Sequence, residues 1–128
     1  MPDKAKANEI LEYARNLIES APVGIATFDA SGQCLSANGA AARIQGATPE
    51  QLLSRNFMSL GSWEASGLLD AAKKTLATGM GQRLDISLAE FPGAPVLVIN
   101  QFESFVCGGR HYLLQVLTDI PFYRRHKK

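Results

Sequence analysis

An α+β domain is the fold class that this 128-residue sequence predicts: an antiparallel five-stranded sheet with helices on one face and an N-terminal amphipathic helix. Three observations lead there. Apolar residues recur on a helical period at the start of the chain and again in its middle. Short β-type runs flank that helical middle on both sides. The last third holds two long apolar runs joined by Gly108-Gly109, a hairpin signature.

Residues 4–20 read as a helix. Ile10, Ala14, Leu17, Ile18 and Ala21 recur at spacings of four, three, one and three, a single stripe on the 3.6-residue period. Glu9, Glu12, Arg15, Asn16 and Glu19 fill the other side, and Pro22 stops the helix because the residue before a proline disfavours the α region. Val23-Gly24-Ile25-Ala26-Thr27-Phe28 is a short strand. Asp29-Ala30-Ser31-Gly32 makes a tight turn, and Cys34-Leu35-Ser36-Ala37 pairs back. Asn38 can cap the next short helix through its side-chain oxygen, and Gly46 ends it.

Thr48-Pro49-Glu50-Gln51 is a capping box with proline at the first helical position, and that helix ends near Leu53 or Ser54. Ser62 is the expected cap of the longest internal helix, which runs to about Thr78. Ala65, Leu69, Ala72 and Leu76 fall on one seam, Lys73 and Lys74 point away, and Gly79 stands at the end. Residues 82–88 alternate, with Leu84, Ile86 and Leu88 on one face and Arg83, Asp85 and Ser87 on the other. Phe91-Pro92-Gly93-Ala94-Pro95 is a connecting turn.

The two long strands, residues 96–106 and 111–120, do not alternate. Val96, Leu97, Val98 and Ile99 are all apolar, as are Tyr112, Leu113, Leu114, Val116 and Leu117. A sheet with one wet face places polar residues at every second position. Both faces therefore need a cover. The helices of residues 40–78 suit the inner face. The stripe of helix 4–20 suits the outer one, from the same chain or from a partner.

Composition bounds the function. The length is that of one domain, and 46% hydrophobic residues argue against disorder. A net charge of +1 supplies no general attraction to nucleic acid or to an anionic membrane, so no direct nucleic-acid binding is expected. Lys4, Lys6, Glu9 and Glu12 interrupt any leader-like apolar run, and no uncharged stretch reaches the ~18 residues of a membrane span. Cys34 and Cys107 lie far apart and read as free cytosolic thiols, which points to a cytoplasmic protein. His111 and His126 cluster with nothing, so no metal site is expected. No serine, histidine and aspartate stand in a nucleophile-like context, and Gly79-Met80-Gly81 follows a helix with Leu84 at the third glycine's place. No catalytic residue is expected, and the chain does not read as an enzyme. Asn100 and Gln115 are polar residues within apolar strands. Facing inward they must be hydrogen-bonded, and a polar ligand is one such partner; the alternative is that they face the outer layer or bond to neighbouring backbone. Strand parity is open at this point.

The order of elements, with its punctuation, resembles the PAS (Per-Arnt-Sim) sensory domain of bacterial signalling proteins. The resemblance is carried by Ser20-Ala21-Pro22-Val23-Gly24-Ile25, then Phe28-Asp29-Ala30-Ser31-Gly32-Gln33. It continues through Asn38-Gly39-Ala40-Ala41-Ala42 and Gly46-Ala47-Thr48-Pro49-Glu50-Gln51-Leu52-Leu53 to Gly108-Gly109 and Thr118-Asp119-Ile120. It divides the chain into an N-terminal helix or linker at 1–20, a PAS domain at 21–120 and the start of an output linker at 121–128. Two departures stand out: Pro121 replaces the usual threonine of the junction, and Ser54-Arg55 stands where a glycine often follows the short helix.

The resemblance implies a signal-sensing input module rather than a catalyst. It implies a homodimer formed through the N-terminal helix, and an effector or partner such as a histidine kinase, cyclase or transcription regulator. A small molecule or a partner protein would be the input, with Asn100 and Gln115 as candidate ligand-binding residues. The alternative is a ligand-free protein–protein interaction and dimerisation domain. Asn38 and Asp119 are expected as structural caps, Asp119 also as a relay to an output helix. Haem held by a central-helix histidine is not expected, since residues 63–78 contain none and Met80 alone is idle. Flavin bonded to cysteine is not expected either, because neither cysteine lies in the Asn-Cys-Arg-Phe context that it needs. The cofactor stays open; Trp63 alone is better read as core than as a stacking partner. The basic run at 124–128 reads as solvated.

Overall fold

A computed structural model describes residues 4–88 and 96–121 of the chain. The connecting turn expected at 91–95 and the basic run at 124–128 lie outside the described residues. The elements follow the expected order: α1 (Lys4–Ser20), β1 (Gly24–Asp29), β2 (Cys34–Ala37), α2 (Gly39–Gln45) and α3 (Pro49–Leu53). A single 3₁₀ turn at Phe57–Ser59 leads to α4 (Gly61–Ser66) and α5 (Leu68–Thr78). β3 (Gln82–Leu88), β4 (Val96–Cys107) and β5 (Arg110–Pro121) complete the fold. The strands form one five-stranded antiparallel sheet in the order β2-β1-β5-β4-β3. β1 and β5 lie side by side, Gly24 opposite Leu117 and Asp29 opposite Tyr112. The fold is therefore the α+β class expected, with α2, α3 and α5 on the inner face of the sheet.

The local signals at residues 38–54 act as their chemistry requires. Thr48 Oγ1 accepts from the Gln51 amide at 3.1 Å, and Gln51 Oε1 accepts from the Thr48 amide at 2.9 Å, closing the capping box. Asn38 does more than cap α2. Its Oδ1 accepts from the amides of Ala41 and Ile25, both at 2.9 Å. Its Nδ2 donates to the carbonyls of Ile18 at 2.8 Å and Val23 at 3.0 Å. One buried side chain thus ties the end of α1, both ends of the turn into β1, and the first turn of α2.

The long central helix is broken, and here the expectation fails. Gly67, at φ 91°, lies in the left-handed region and ends α4. Ser62 is inside α4 and caps nothing; Leu60 stands at the cap without a side-chain bond. The buried seam shifts accordingly. Ala65 is exposed, Leu68, Ala72 and Thr75 are buried, and Leu69 and Leu76 are half-buried. On an unbroken helix Trp63 and Leu68 would point about 140° apart. The break lets both be buried.

Strand parity is decided in the hairpin. Val98, Asn100 and Phe102 of β4 and Leu113, Gln115 and Leu117 of β5 are buried on the inner face. Leu97, Ile99, Leu114 and Val116 point outward and are half-buried. α1 does not cover that outer face in this chain: Ile10 is 61% and Leu17 60% exposed, so the stripe of α1 faces solvent. The same-chain cover is thus ruled out, because α1 leaves the domain at Ser20 instead of folding back. A second difference concerns Asp119. β5 continues through it to Pro121, and Asp119 sits exposed opposite Val98 in the ladder, so it caps no helix.

The core has an aromatic half and an aliphatic half. Phe57 and Trp63 stack at 5.1 Å between ring centroids, and Phe28 meets both edge-on. Ala41, Ala42, Leu52, Val98 and Leu117 fill the other half. There β1 and α2 touch backbone to backbone, and a Cβ on Gly24 would lie 2.9 Å from Ala41 Cα. Gly24→Ala is expected to cost about 1–3 kcal/mol by overpacking, read as a lowered urea midpoint at unchanged slope. Asn38→Ala is expected to cost about 2–4 kcal/mol, above the ~1 kcal/mol of a lost helix cap, since four backbone partners lose their bonds. A loss no larger than a cap would show that the α1 and β1 bonds add nothing.

Candidate functional site

Beneath the inner face of the sheet lies a cavity of about 240 Å³. Its apolar wall comes from every layer of the fold: Ile44 of α2, Trp63 of α4, Leu68 of α5, Ile86 of β3, Val98 of β4 and Leu117 of β5. No two of these residues belong to the same element. The polar wall consists of Asn100 and Gln115 on the sheet, facing Gln45, Arg55, Ser62 and Ser66 from the helical side.

Asn100 and Gln115, opposed as candidates in the sequence, are brought together by the fold. Register sets Phe102 opposite Gln115 and Asn100 opposite Leu117, so the two amides are diagonal neighbours on the same face. They are 2% and 1% exposed. Gln115 Nε2 donates to Asn100 Oδ1 at 2.9 Å, and Asn100 Nδ2 donates to the Val98 carbonyl at 3.4 Å. The direction of this chain follows from its end. A carbonyl can only accept, so the Asn100 amide nitrogen faces Val98, its oxygen faces Gln115, and Gln115 must present its nitrogen. Gln115 Oε1 is left over, buried and without a hydrogen-bond partner among the described residues. Such an atom bears most of its desolvation cost uncompensated.

Arg55 is the cationic member of the wall. Its place is set by backbone bonds alone: its amide donates to the Leu52 carbonyl at 3.1 Å, and its carbonyl accepts from the Cys34 amide at 3.0 Å and Gln33 Nε2 at 3.3 Å. Its guanidinium makes no ion pair among the described residues, where Arg83–Asp85 is the one salt bridge. Arg55 is the second residue of the Ser54-Arg55 pair that stands where the resemblance leads one to expect a glycine after the short helix. That departure was the only signal in the sequence for a residue of this wall beyond the strand amides and Trp63. Gln45, Ser62 and Ser66 carried none.

The remaining candidates lie elsewhere. Asn38 is buried under α2, outside the cavity wall, and Asp119 is on the exposed end of β5. His111 is exposed at the start of β5. Cys34 is a core residue whose thiol is pushed up by burial, so the neutral thiol, not a nucleophilic thiolate, is the form present. Its Sγ lies 3.6 Å from the Ser36 carbonyl. Among the described residues no three of histidine, cysteine, aspartate and glutamate come together in a metal-holding arrangement. Trp63 is both core and wall, stacked on Phe57 and bordering the cavity.

Comparison with known proteins follows the same lines. A family model described as PAS fold matches residues 12–83, more than half of the chain. A search of curated proteins finds no match. Among solved structures, a PAS domain from a two-component sensor histidine kinase is similar at 19% identity and a TM-score of 0.66, covering 89% of this chain and 99% of that one. A domain of a sensory box sensor histidine kinase/response regulator from Geobacter sulfurreducens is 23% identical at a TM-score of 0.67, covering 88% of this chain and 96% of that one. The PAS domain of Bordetella pertussis BvgS is 20% identical at a TM-score of 0.64, covering 97% and 93%. At these identities the structures attest the fold, and the family model adds the sequence pattern. The chain belongs to the PAS family.

Proposed function

We propose that the chain is the signal-sensing input module of a bacterial signal-transduction or transcription-regulatory protein. It takes a small molecule or partner as input and transmits through its flanking helices to an effector of the histidine kinase, cyclase or transcription-regulator kind. The observation that carries this reading is the two-sidedness of β5. On its inner face Gln115 lines the cavity; one residue on, Val116 stands on the apolar outer face, and Asp119 lies at the strand's exit. A ligand that shifts β5 by a fraction of an ångström moves the outer face and the exit with it. The mechanism is a population shift between two poses of the flanking segments.

The two unpartnered apolar surfaces support a homodimer through α1. The stripe of Ile10, Leu17 and Ile18 and the outer face of Leu97, Ile99, Leu114 and Val116 each lack a cover among the described residues. A second copy supplies both covers at once by symmetry. No described helix is long and apolar enough to cross a membrane, and a cytoplasmic setting accords with the free Cys34 and Cys107. Neither the charge nor the surface calls for direct nucleic-acid contact. A ligand-free interaction module shares the same surfaces and differs only in leaving the cavity unused.

The test is the mass of the purified chain by sedimentation, with and without the pair Ile10→Glu and Leu17→Glu. Both positions are exposed, so each change is expected to alter the stability of the single domain by no more than about 0.5 kcal/mol. The unaltered chain is expected to be dimeric and the variant monomeric with the same circular dichroism. A monomeric parent, or a variant that stays dimeric, would overturn the dimer.

A further inference from the structure

The wall of the cavity makes two demands that none of the described residues meets. Gln115 Oε1 is an acceptor, buried and unpartnered, so it calls for a donor. Arg55 is a half-buried, permanently charged cation on the cavity wall, with no ion pair among the described residues. The two are joined in space. Gln45, Arg55, Trp63 and Gln115 border both the main cavity and a satellite of about 10 Å³, so these four residues form the partition between them. The rest of the main wall is apolar at Ile44, Leu68, Ile86, Val98 and Leu117 and polar at Ser62, Ser66 and Asn100. At about 240 Å³ the cavity falls below the ~300–1,000 Å³ of sites for drug-sized ligands.

We infer that this cavity binds a compact organic acid carrying a hydroxyl group: its carboxylate pairs with Arg55, its hydroxyl donates to Gln115 Oε1, and its hydrocarbon body lies against Ile86, Val98 and Leu117. The inference rests on the reading of the chain as a ligand-responsive input module and names the class of its ligand. The chemistry is selective in both directions. An acid without a donor leaves Gln115 Oε1 buried and bare. A neutral ester offers the guanidinium no counter-charge. The unpartnered Gln115 Oε1 on the sheet side and the unpaired Arg55 on the helical side, among the described residues, together specify the two ends of one small molecule.

Trp63 is the sole tryptophan of the chain and borders the cavity, so its fluorescence reports on the site. The experiment titrates the full chain with para-hydroxybenzoate and with β-hydroxybutyrate, and compares each with its analogue lacking the hydroxyl, benzoate or butyrate, and with its methyl ester, with calorimetry as the second readout. One of the two hydroxy acids is expected to bind saturably at one per chain. Its analogue lacking the hydroxyl, and its methyl ester, are each expected to bind at least about tenfold more weakly. Arg55→Gln is expected to abolish the preference for acid over ester while leaving the preference for the hydroxyl. Gln115→Met is expected to do the converse. The backbone bonds that place Arg55 survive its substitution, and an unchanged melting temperature confirms this for the variant. Arg55→Lys, which keeps the charge, is expected to restore the preference in part. Absence of saturable binding by both hydroxy acids overturns the inference, as does an ester that binds as tightly as its acid. The dimer is measured separately. Loss of binding with an intact α1 dimer overturns the ligand class alone, and discriminating binding by a monomer overturns only the dimer.

Discussion

The fold turns on one amide. Asn38 uses all four of its hydrogen-bonding positions on backbone groups of three different segments. Its two acceptor bonds start α2 and hold the second residue of β1. Its two donor bonds take the carbonyl of Ile18, in the last turn of α1, and that of Val23, just before β1. Neither a carboxylate nor a hydroxyl can make this pattern, because the first has no donors and the second has one. The consequence is geometric. α1 leaves the domain at a fixed point next to the edge of α2, and α2 in turn supplies Ile44 and Gln45 to the cavity wall. The helix that faces solvent and the helix that faces the cavity are anchored by the same side chain.

That anchoring works together with the tight approach of β1 and α2 at Gly24 and Ala41, where no side chain intervenes. β1 is then held between β2 and β5, and β5 lies at the centre of the sheet. A central strand has no free edge, so a displacement of β5 must be shared with β1 on one side and β4 on the other. Of the three buried residues on the inner face of this strand, Leu113, Gln115 and Leu117, only Gln115 is polar. The strand is therefore most sensitive to its surroundings at the point where the cavity opens.

How much of this was legible depended on the range of the interaction. Capping chemistry is local, and Thr48, Pro49 and Gln51 formed the box that their spacing required. The cap at Asn38 was legible too, but its bonds to Ile18 and Val23 were not, because they join residues 20 and 15 apart in sequence. The central helix misled because Gly67 costs only about 1 kcal/mol inside a helix, so a periodic pattern reads through it. Packing overrode the pattern by placing Gly67 in the left-handed region, which brought Trp63 and Leu68 to one cavity. The Ser54-Arg55 pair departs from the family pattern in consecutive letters, but the place of Arg55 on the cavity wall depends on residues distant in sequence.

Element types, their order and their ends came from short-range chemistry: turn residues, caps and hydrophobic periods act within a few residues and are written in consecutive letters. The need for two covers on the hairpin was legible in the same way, since an apolar run without alternation has no wet side. What local chemistry could not decide was parity, partner and void. A strand apolar on both faces has no preferred side, so the inward turn of Asn100 and Gln115 was settled by the ladder with β1 and by helices packing on one face. The absence of α1 from the outer face was settled by where Asn38 releases the helix. The cavity exists only because residues from α2, α4, α5, β3, β4 and β5 converge without filling the space between them. A void is a property of all its walls at once, and no segment of the chain carries it alone.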